Sequence, residues 1–416
     1  MGDRITTAGA LFPDAAIDQV RGKQFVLWQG SQAQVVPAAE YGGHTYIPAA
    51  LSPSLEKVLH LPAAIEDFRS LEGLIGELSE GVTSCDVGLD QHATLLVAAG
   101  IAATWVTDCV PCPLVINLWG DVGVENTLLD FMGCVCRRAL RLVEPSLREL
   151  SGLPTGLTPT LILTRPSKPV LSRLVMAASG HFFARGEVIN LQSPIIVYTS
   201  QPVQVPAMSI PLPPATHAVR RITKLEAQKI VDRFQPRLLD YRLKNYQEVT
   251  NAQFDVPGFC PEVRQVARVL GAVVQGSASL QASITDALRG LNEQRKGERS
   301  QTAAAVVLEA LLAVSHGQAP GAYVGAICDL ANGFLEDRDE TTRLSPKAVG
   351  EILRQELGLV ARRRAHGYEL ALDVGTQRRV HHLAVAHDVL ELVAGCPRCQ
   401  EMPVAIPTES QPALGV

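Results

Sequence analysis

Residues 114–131, LVINLWGDVGVENTLLDF, constrain the fold of this chain more than any other stretch. They open with an apolar run typical of a buried strand, turn at Gly120 and Gly123, and continue from Thr127 with apolar residues at helical spacing. Two further apolar runs follow at residues 160–163 and 194–199, with helical patterns between them. Strands that alternate with helices predict an α/β core with a mostly parallel sheet and helices on both faces.

The turn after the first strand has the spacing of a phosphate-binding loop. In the pattern G-x-x-x-x-G-K-[ST], backbone N–H groups, a helix N-terminus and a lysine hold the phosphates. Gly120 fits the first glycine, Gly123 lies inside the loop, and Thr127 fits the final hydroxyl residue. Glu125 and Asn126 replace the second glycine and the lysine, so a carboxylate stands where phosphates would bind. The sequence predicts a degenerate nucleotide loop; an ordinary tight strand-to-helix turn is the alternative.

A second motif of nucleotide hydrolases is degenerate as well. In such enzymes a later core strand ends in Asp-Glu, where the aspartate holds Mg²⁺ and the glutamate polarises the attacking water. Here the run TLIL ends in Thr164 and Arg165, and neither side chain is a carboxylate. These losses argue against ATP binding and hydrolysis, and we assign no catalytic residue.

The overall composition limits the possible partners and location. The net charge of −5 gives no general attraction to nucleic acid, so any such contact requires a local basic patch. Residues 93–119 are nearly all apolar, but Asp108, Pro111 and Pro113 divide them into a short helix and a strand. We therefore expect no membrane span. Nine cysteines without a secretory leader predict reduced thiols and a cytoplasmic location.

The chain of 416 residues is long enough for two or three domains. We predict a small β/helical N-terminal region at 1–80, a degenerate nucleotide-hydrolase-like core at 81–215 and a helical connector at 216–300. A winged helix domain at 301–392 and a loose, proline-containing tail at 393–416 would follow. Within the connector, a long helix at residues 224–249 would bend or break at Pro236, and the polar residues 292–301 would form a loop.

The region from residue 302 onward predicts three helices and then a β-hairpin. Ser345 is a natural N-cap and Pro346 suits the first position of the third helix, which Gly358 would end. Strands at 359–364 and 368–372 follow, and a closing helix covers 378–386. This order is the layout of a winged helix-turn-helix domain.

Two segments resemble one known family. LSPKAVGEILRQELGLVARRRAHGYEL resembles the C-terminal winged helix of phage- and plasmid-type primase/helicase proteins. The stretch from PLVINLWGDVGVENT to LTPTLILTRP resembles the P-loop ATPase core of the same proteins. The resemblance covers residues of about 90–210 and 300–390 and implies a DNA-associated ATPase ancestor with a helical lid and a DNA-reading module. Carried onto this chain, it keeps the loop at Gly120, Gly123 and Thr127, whereas Glu125, Asn126, Thr164 and Arg165 depart from it.

A basic cluster coincides with the predicted winged helix. Between residues 343 and 382, eight cations face four anions, a net charge of +4 in a protein whose total is negative. Lys347, Arg354 and Gln355 on the third helix would reach base edges in the major groove. Arg362, Arg363 and Arg364 on the wing would contact phosphates. The alternative is a solvated charged face that binds protein.

Two Cys-x-x-Cys pairs have the spacing of zinc ligands, Cys109 with Cys112 and Cys396 with Cys399. The pairs are far apart in sequence, and the first borders the buried strand, whereas His381 and His382 lie nearer the second. We interpret the pairs as free thiols and expect neither zinc nor another cofactor.

Together these patterns predict a bacterial or mobile-element protein that binds duplex DNA without hydrolysing ATP. It would serve as a scaffold or partner in a replication assembly, beside an active ATPase or a second copy of itself. Two alternatives stay open. One is an active DNA-dependent ATPase or helicase with an unorthodox site, and the other is an adaptor whose winged helix binds only protein.

Overall fold

The computed structural model describes residues 3–120, 123, 125–146, 157–178, 181–184, 187–190, 193–203, 205–214, 220–317 and 319–402. The chain forms two compact units, Met1–Leu291 and Asn292–Val416. Residues 403–416, the larger part of the predicted tail, lie outside the described residues. Within the described ranges, no helix combines the length and the apolar character needed to cross a bilayer.

The first unit begins with more β-structure than the sequence indicated. Its strands are β1 (Arg4–Thr7), β2 (Gly9–Leu11), β3 (Ala15–Val20), β4 (Gln24–Gln29), β5 (Gln32–Val36), β6 (Ala39–Tyr41) and β7 (His44–Pro48). Strands β2 to β5 form an antiparallel meander, and β1, β7 and β6 form a second sheet. Glycines with positive φ, Gly22 and Gly30, lie in the two turns that flank β4. The whole of β3 is buried, which places Asp18 in the protein interior.

Three helices lead into the core: α1 (Pro53–Val58), α2 (Leu71–Thr83) and α3 (Gln91–Trp105). The Asp90 side chain caps α3 by accepting the Ala93 N–H. Because α3 is apolar around its circumference, it is buried on nearly all sides.

The core sheet contains β8 (Val115–Trp119), β9 (Leu140–Val143), β10 (Leu161–Thr164), β13 (Ile195–Thr199) and β14 (Met208–Pro211). Its order is β14-β8-β13-β10-β9, and every pairing is parallel. A separate hairpin is formed by β11 (His181–Ala184) and β12 (Glu187–Asn190). The predicted α/β class with a parallel sheet is confirmed. Because all five strands run in one direction, their carboxyl ends share the edge where Gly120 and Thr164 lie.

Helices cover both faces of this sheet. On one face Ile116 of β8 packs in a cluster that includes Ile101 of α3 and residues of α4 (Glu125–Val135). On the other face Val115 packs with Leu171 of α5 (Lys168–Ala178). Successive side chains of a strand point to opposite faces, so a strand buried on both faces is mostly apolar, as β8 is except at Asn117.

The helical connector contains α6 (Lys224–Asn251), α7 (Pro261–Val273) and α8 (Ala278–Ser300). The long helix α6 is continuous through Pro236, so of the predicted bend or break the break is wrong. A second prediction is also corrected. The predicted loop at 292–301 is instead the last part of α8, where Lys296 pairs with Glu293 and Arg295 with Glu298. Charged pairs three residues apart support this last part of α8, which has no apolar residue after Leu291.

The second unit contains α9 (Ala303–His316), β15 (Gly321–Tyr323), α10 (Val324–Asp337), α11 (Pro346–Gln355), β16 (Arg362–Arg364), β17 (Gly367–Ala371), α12 (Val374–Ala386) and α13 (Pro397–Gln400). The three strands form an antiparallel sheet in the order β15-β17-β16. Ser345 caps α11 by accepting the Ala348 N–H, and Pro346 is its first residue, as predicted. Residues 396–402 belong to the predicted loose tail, yet Pro397–Gln400 form α13, and Cys399 and Met402 are buried.

Candidate nucleotide loop and nucleic-acid interface

Two glycines shape the loop after β8. A Cβ on Gly120 would lie 2.6 Å from the Leu212 carbonyl oxygen, so only glycine permits this approach between the loop and β14. Gly123 has a φ of 107°, which L side chains rarely adopt. Both glycines of the predicted loop therefore have a structural cause. Asp121, Val122 and Val124 lie outside the described residues.

The Glu125 carboxylate bonds to the backbone of this loop. Glu125 is the first residue of α4, only 4% of its surface is exposed, and its Oε2 accepts the Gly123 N–H at 2.6 Å. A negative group at a helix N-terminus is favoured by the dipole and the unpaired amides of the first turn. The loop thus donates to its own carboxylate the hydrogen bond that a nucleotide loop would offer to a phosphate.

Asn126 and Thr127 are also engaged inside the first unit. The Asn126 Oδ1 accepts from the Arg141 guanidinium at 2.9 Å, and the same guanidinium pairs with Asp130 at 2.5 Å. The Thr127 hydroxyl donates to the Arg220 carbonyl oxygen. The positions of the missing lysine and the Mg²⁺-binding hydroxyl therefore already have partners. Sequence reasoning missed Arg141 and Arg220 because neither belongs to a motif.

The second degenerate motif lies on β10, with β13 between it and the loop strand. Thr164 is 9% exposed, and its hydroxyl has no hydrogen-bond partner among the described residues. Arg165 is exposed, has a φ of 51°, and its N–H donates to the Tyr198 carbonyl at 2.9 Å. The Tyr198 hydroxyl donates to the Gly120 carbonyl at 2.7 Å. Tyr198 thus connects the two motifs that the sequence analysis identified separately.

A buried ion cluster lies elsewhere in the first unit. Asp18 is 1% exposed and bonds to Arg137 at 2.6 Å, to Arg138 at 2.6 Å and to Arg242 at 2.8 Å. Arg242 also pairs with Asp108 at 2.5 Å. Burial would raise the pKa of the Asp18 carboxyl, but attraction to the three guanidinium groups outweighs it and holds this pKa below its ordinary value.

This cluster connects distant parts of the first unit. It joins β3, the segment after α4, and α6, which are distant in sequence. Removing one partner of a buried ion pair strongly destabilises the folded protein, because the remaining charges are left buried and unpaired. The sequence offered no signal for it, since single aspartates and arginines carry no recognisable spacing.

The basic residues predicted to contact DNA are all exposed on the second unit. On α11, Val349, Ile352 and Leu353 are buried. The candidate residues Lys347, Arg354 and Gln355 lie on its exposed side.

The predicted wing corresponds to the hairpin of β16 and β17, and all of β16 is exposed. Arg364 pairs with Glu369 at 3.3 Å, whereas Arg362 and Arg363 form no ion pair within the described ranges. The structure therefore leaves two adjacent guanidinium groups available at the surface.

The two cysteine pairs differ in their surroundings. All nine cysteines are free thiols. Cys109 is buried, and Cys112 accepts a hydrogen bond from Gln265 at 3.1 Å. Cys396 and Cys399 each lie close to a histidine in the second unit.

Comparison with known proteins yields only distant structural likenesses. No protein-family model matches this chain, and no curated protein matches it. An apo structure of the C-terminal region of NrS-1, residues 305–718, is 9% identical with a TM-score of 0.35, covering 86% of this chain and 96% of that one. A full-length MCM homolog from Methanopyrus kandleri is 10% identical with a TM-score of 0.34, covering 67% of this chain and 74% of that one. The Drosophila ORC bound to DNA is 12% identical with a TM-score of 0.20, covering 80% and 96%.

Proposed function

We propose that this protein binds duplex DNA through a winged helix in its second unit, while its first unit is a nucleotide-hydrolase-like core that does not hydrolyse ATP. The observation that carries the proposal is the bond from the Gly123 N–H to the buried Glu125 carboxylate, because it fills the phosphate position with a fixed negative charge.

ATP would meet three obstacles at the loop. Its phosphates would have to displace the Glu125 carboxylate, which is desolvated and held at a helix N-terminus. No lysine is present at position 126 to compensate for the repulsion. The end of β10 also provides no carboxylate for Mg²⁺ or for the attacking water, and phosphoryl transfer depends on such groups for positioning and charge stabilisation.

The second unit has the element order expected for a winged helix. Helices α9, α10 and α11 precede the β16–β17 hairpin, and β15 pairs with β17. In this arrangement α11 acts as the recognition helix, with Lys347, Arg354 and Gln355 toward base edges. Arg362, Arg363 and Arg364 of the wing contact the phosphate backbone, where each guanidinium that neutralises a phosphate releases counterions from the DNA.

The first unit then serves as a scaffold in a replication or mobile-element assembly. Its partner would be an active ATPase or a second copy of this chain, because the α/β architecture is retained while its hydrolytic groups are absent. Retained architecture without catalytic groups is useful where a protein must fit among related subunits.

A protein-only adaptor is the second candidate. Val360 and Tyr368, beside and on the wing, are 68% and 57% exposed. Exposed apolar and aromatic side chains are typical of the centre of a protein interface. This candidate predicts that the second unit captures a protein partner and has no affinity for duplex DNA.

Fluorescence anisotropy with a labelled duplex, measured on the full chain at several salt concentrations, tests the proposal. We expect the triple variant Arg362→Gln, Arg363→Gln, Arg364→Gln to bind weakly and to reduce the salt slope by about 2 to 3. The matched control is Arg4→Gln, Lys57→Gln, Lys224→Gln, which removes three exposed cations of the first unit. Equal affinity and slope for the wild type and the wing variant would refute the DNA assignment.

ATP-dependent phosphate release, measured with and without duplex DNA, tests the proposal that the core does not hydrolyse ATP. We expect no release above that of a buffer control. Turnover that disappears in Thr127→Ala would show that the loop is an active, unorthodox site and would refute the non-hydrolysing core.

A further inference from the structure

Four potential metal ligands converge in the second unit. His316 is the last residue of α9, His381 lies on α12, and Cys396 and Cys399 lie at the start and within α13. One ligand atom from each residue can be chosen so that all four atoms lie within 4.8 Å of one another. Three segments of chain that are separate in sequence thus present two imidazoles and two thiols to one point.

The distances within this group have the scale of a shared metal ion. The Cys396 Sγ lies 3.4 Å from the His381 Nε2, and the Cys399 Sγ lies 3.2 Å from the His316 Nε2. Tetrahedral zinc with Zn–S bonds of about 2.3 Å and Zn–N bonds of about 2.1 Å places sulfur and nitrogen about 3.6 Å apart. Outward shifts of a few tenths of an ångström would therefore admit the ion.

The orientation of His381 also fits a ligand. Its Nδ1 lies 2.8 Å from the Gln377 carbonyl oxygen, and the residue is fully buried. An N–H at Nδ1 that donates to this carbonyl leaves the Nε2 lone pair directed at Cys396. Metal-binding histidines almost always fix their second nitrogen with such a bond.

We propose that His316, His381, Cys396 and Cys399 form a structural zinc site. Two thiolates and two imidazoles in tetrahedral arrangement select zinc over the harder divalent ions. On binding, both cysteine thiols lose a proton to solvent and each imidazole contributes a lone pair, so no oxidation or reduction is involved. Four protein ligands complete the coordination, and the ion therefore stabilises structure.

The site fastens the C-terminal segment to the helices of the second unit. Residues 396–402 contribute only the short helix α13, which could not hold its position by local hydrogen bonds alone. The ion would connect this segment to the end of α9 and the middle of α12. This proposed zinc site differs from the expectation drawn from the sequence. There the cysteines were considered without His316, and no zinc was expected.

Co²⁺ titration of the metal-free full chain tests the proposal, with absorbance as the readout. We expect one equivalent to bind with the visible bands of tetrahedral coordination and a thiolate charge-transfer band, and zinc to displace it. The variant Cys396→Ser, Cys399→Ser should lose this binding, whereas Cys109→Ser, Cys112→Ser, the matched control, should retain one equivalent. The proposal would be overturned if the wild type did not bind one equivalent of Co²⁺, or if Cys396→Ser, Cys399→Ser still bound it.

A second measurement uses only the wild-type chain and so does not depend on the variants folding. The metal-free and zinc-loaded proteins are treated with iodoacetamide, and modified cysteines are located by mass spectrometry. We expect zinc to protect Cys396 and Cys399, with Cys112 modified equally in both samples. Modification of Cys396 at the same rate with and without zinc would contradict the proposal. Neither experiment depends on DNA or nucleotide binding.

Discussion

Two groups of three arginines show how differently this molecule uses one side chain. Arg137, Arg138 and Arg242 are at most 2% exposed and surround Asp18 inside the first unit. Arg362, Arg363 and Arg364 lie side by side on an exposed strand of the second unit, and among the described residues only Arg364 forms an ion pair. A guanidinium whose partners lie in the same chain contributes to folding, whereas one without a partner is available to a ligand.

The polar groups of the candidate nucleotide loop resemble the three buried arginines, because their partners also lie within the first unit. The Gly123 N–H, the Asn126 amide and the Thr127 hydroxyl all bond to groups of the first unit. In the described part of the loop and in the ion cluster, the charged groups bond to partners within the first unit, although the Nε atoms of Arg137 and Arg138 have no hydrogen-bond partner among the described residues. The following predictions test this contrast, from the largest expected effect to the smallest.

Replacing Asp18 should be the most damaging single change. Asp18→Asn would leave Arg138 without a negative partner and Arg137 and Arg242 with only the carboxylate of Asp108, and we expect the free energy of unfolding to fall by about 3 to 5 kcal/mol. Urea denaturation of the full chain measures the loss. Asp286→Asn, which removes a carboxylate from exposed pairs, should change stability by no more than about 1 kcal/mol. Similar losses in the two variants would show that the buried cluster contributes no more to stability than an exposed ion pair.

Restoring the loop motif should create nucleotide affinity. Glu125→Gly with Asn126→Lys rebuilds G-x-x-x-x-G-K-T, frees the Gly123 N–H and adds a cation. We expect ATP to bind about 10- to 100-fold more tightly than to the wild type, or roughly 1.4 to 2.8 kcal/mol, by calorimetry. Glu125→Gln is the control, because its amide oxygen still accepts the Gly123 N–H. If ATP binds the wild type as well as the double variant, the internal carboxylate is not what excludes it.

Glu77 should make stability depend on acid pH. Hydrogen bonds from Arg237 and Arg233 lower the pKa of this carboxyl to about 2. Its contribution is therefore complete above the ordinary value of 4.5 and is lost as the pH falls toward 2. We expect Glu77→Gln to cost about 1 to 2 kcal/mol at neutral pH, after allowance for solvent screening, and progressively less below pH of about 4.5. A cost that stays constant across this range would contradict the assignment.

Replacing Thr164 should change the stability of the protein very little. Its buried hydroxyl has no partner among the described residues, so Thr164→Val removes an unsatisfied polar group while keeping the side-chain shape. We expect stability to be unchanged or to rise by less than about 1 kcal/mol in thermal unfolding. A clear loss would mean that the hydroxyl has a partner that the described contacts do not include.

Local rules in the sequence determined the core framework. The alternation of apolar strands with helical patterns fixed the α/β class, and the two glycines fixed the turn after β8. Ser345 and Pro346 fixed the start of α11. Each follows from short-range preferences, namely side-chain periodicity, capping and glycine conformation, which act within a few residues and are therefore legible without a structure. The absence of motif carboxylates at Thr164 and Arg165 was equally visible.

Only the tertiary structure decided which groups meet. The sequence placed a carboxylate at position 125 but did not show that it would bond to Gly123. It gave no sign that Asp18 would meet Arg242, 224 residues away, or that His316 would face Cys399, 83 residues away. The local charge pattern also failed to reveal that α8 continues to Ser300. Burial and pairing energies depend on neighbours that the fold brings together, so partners distant in sequence leave no periodic pattern along the chain.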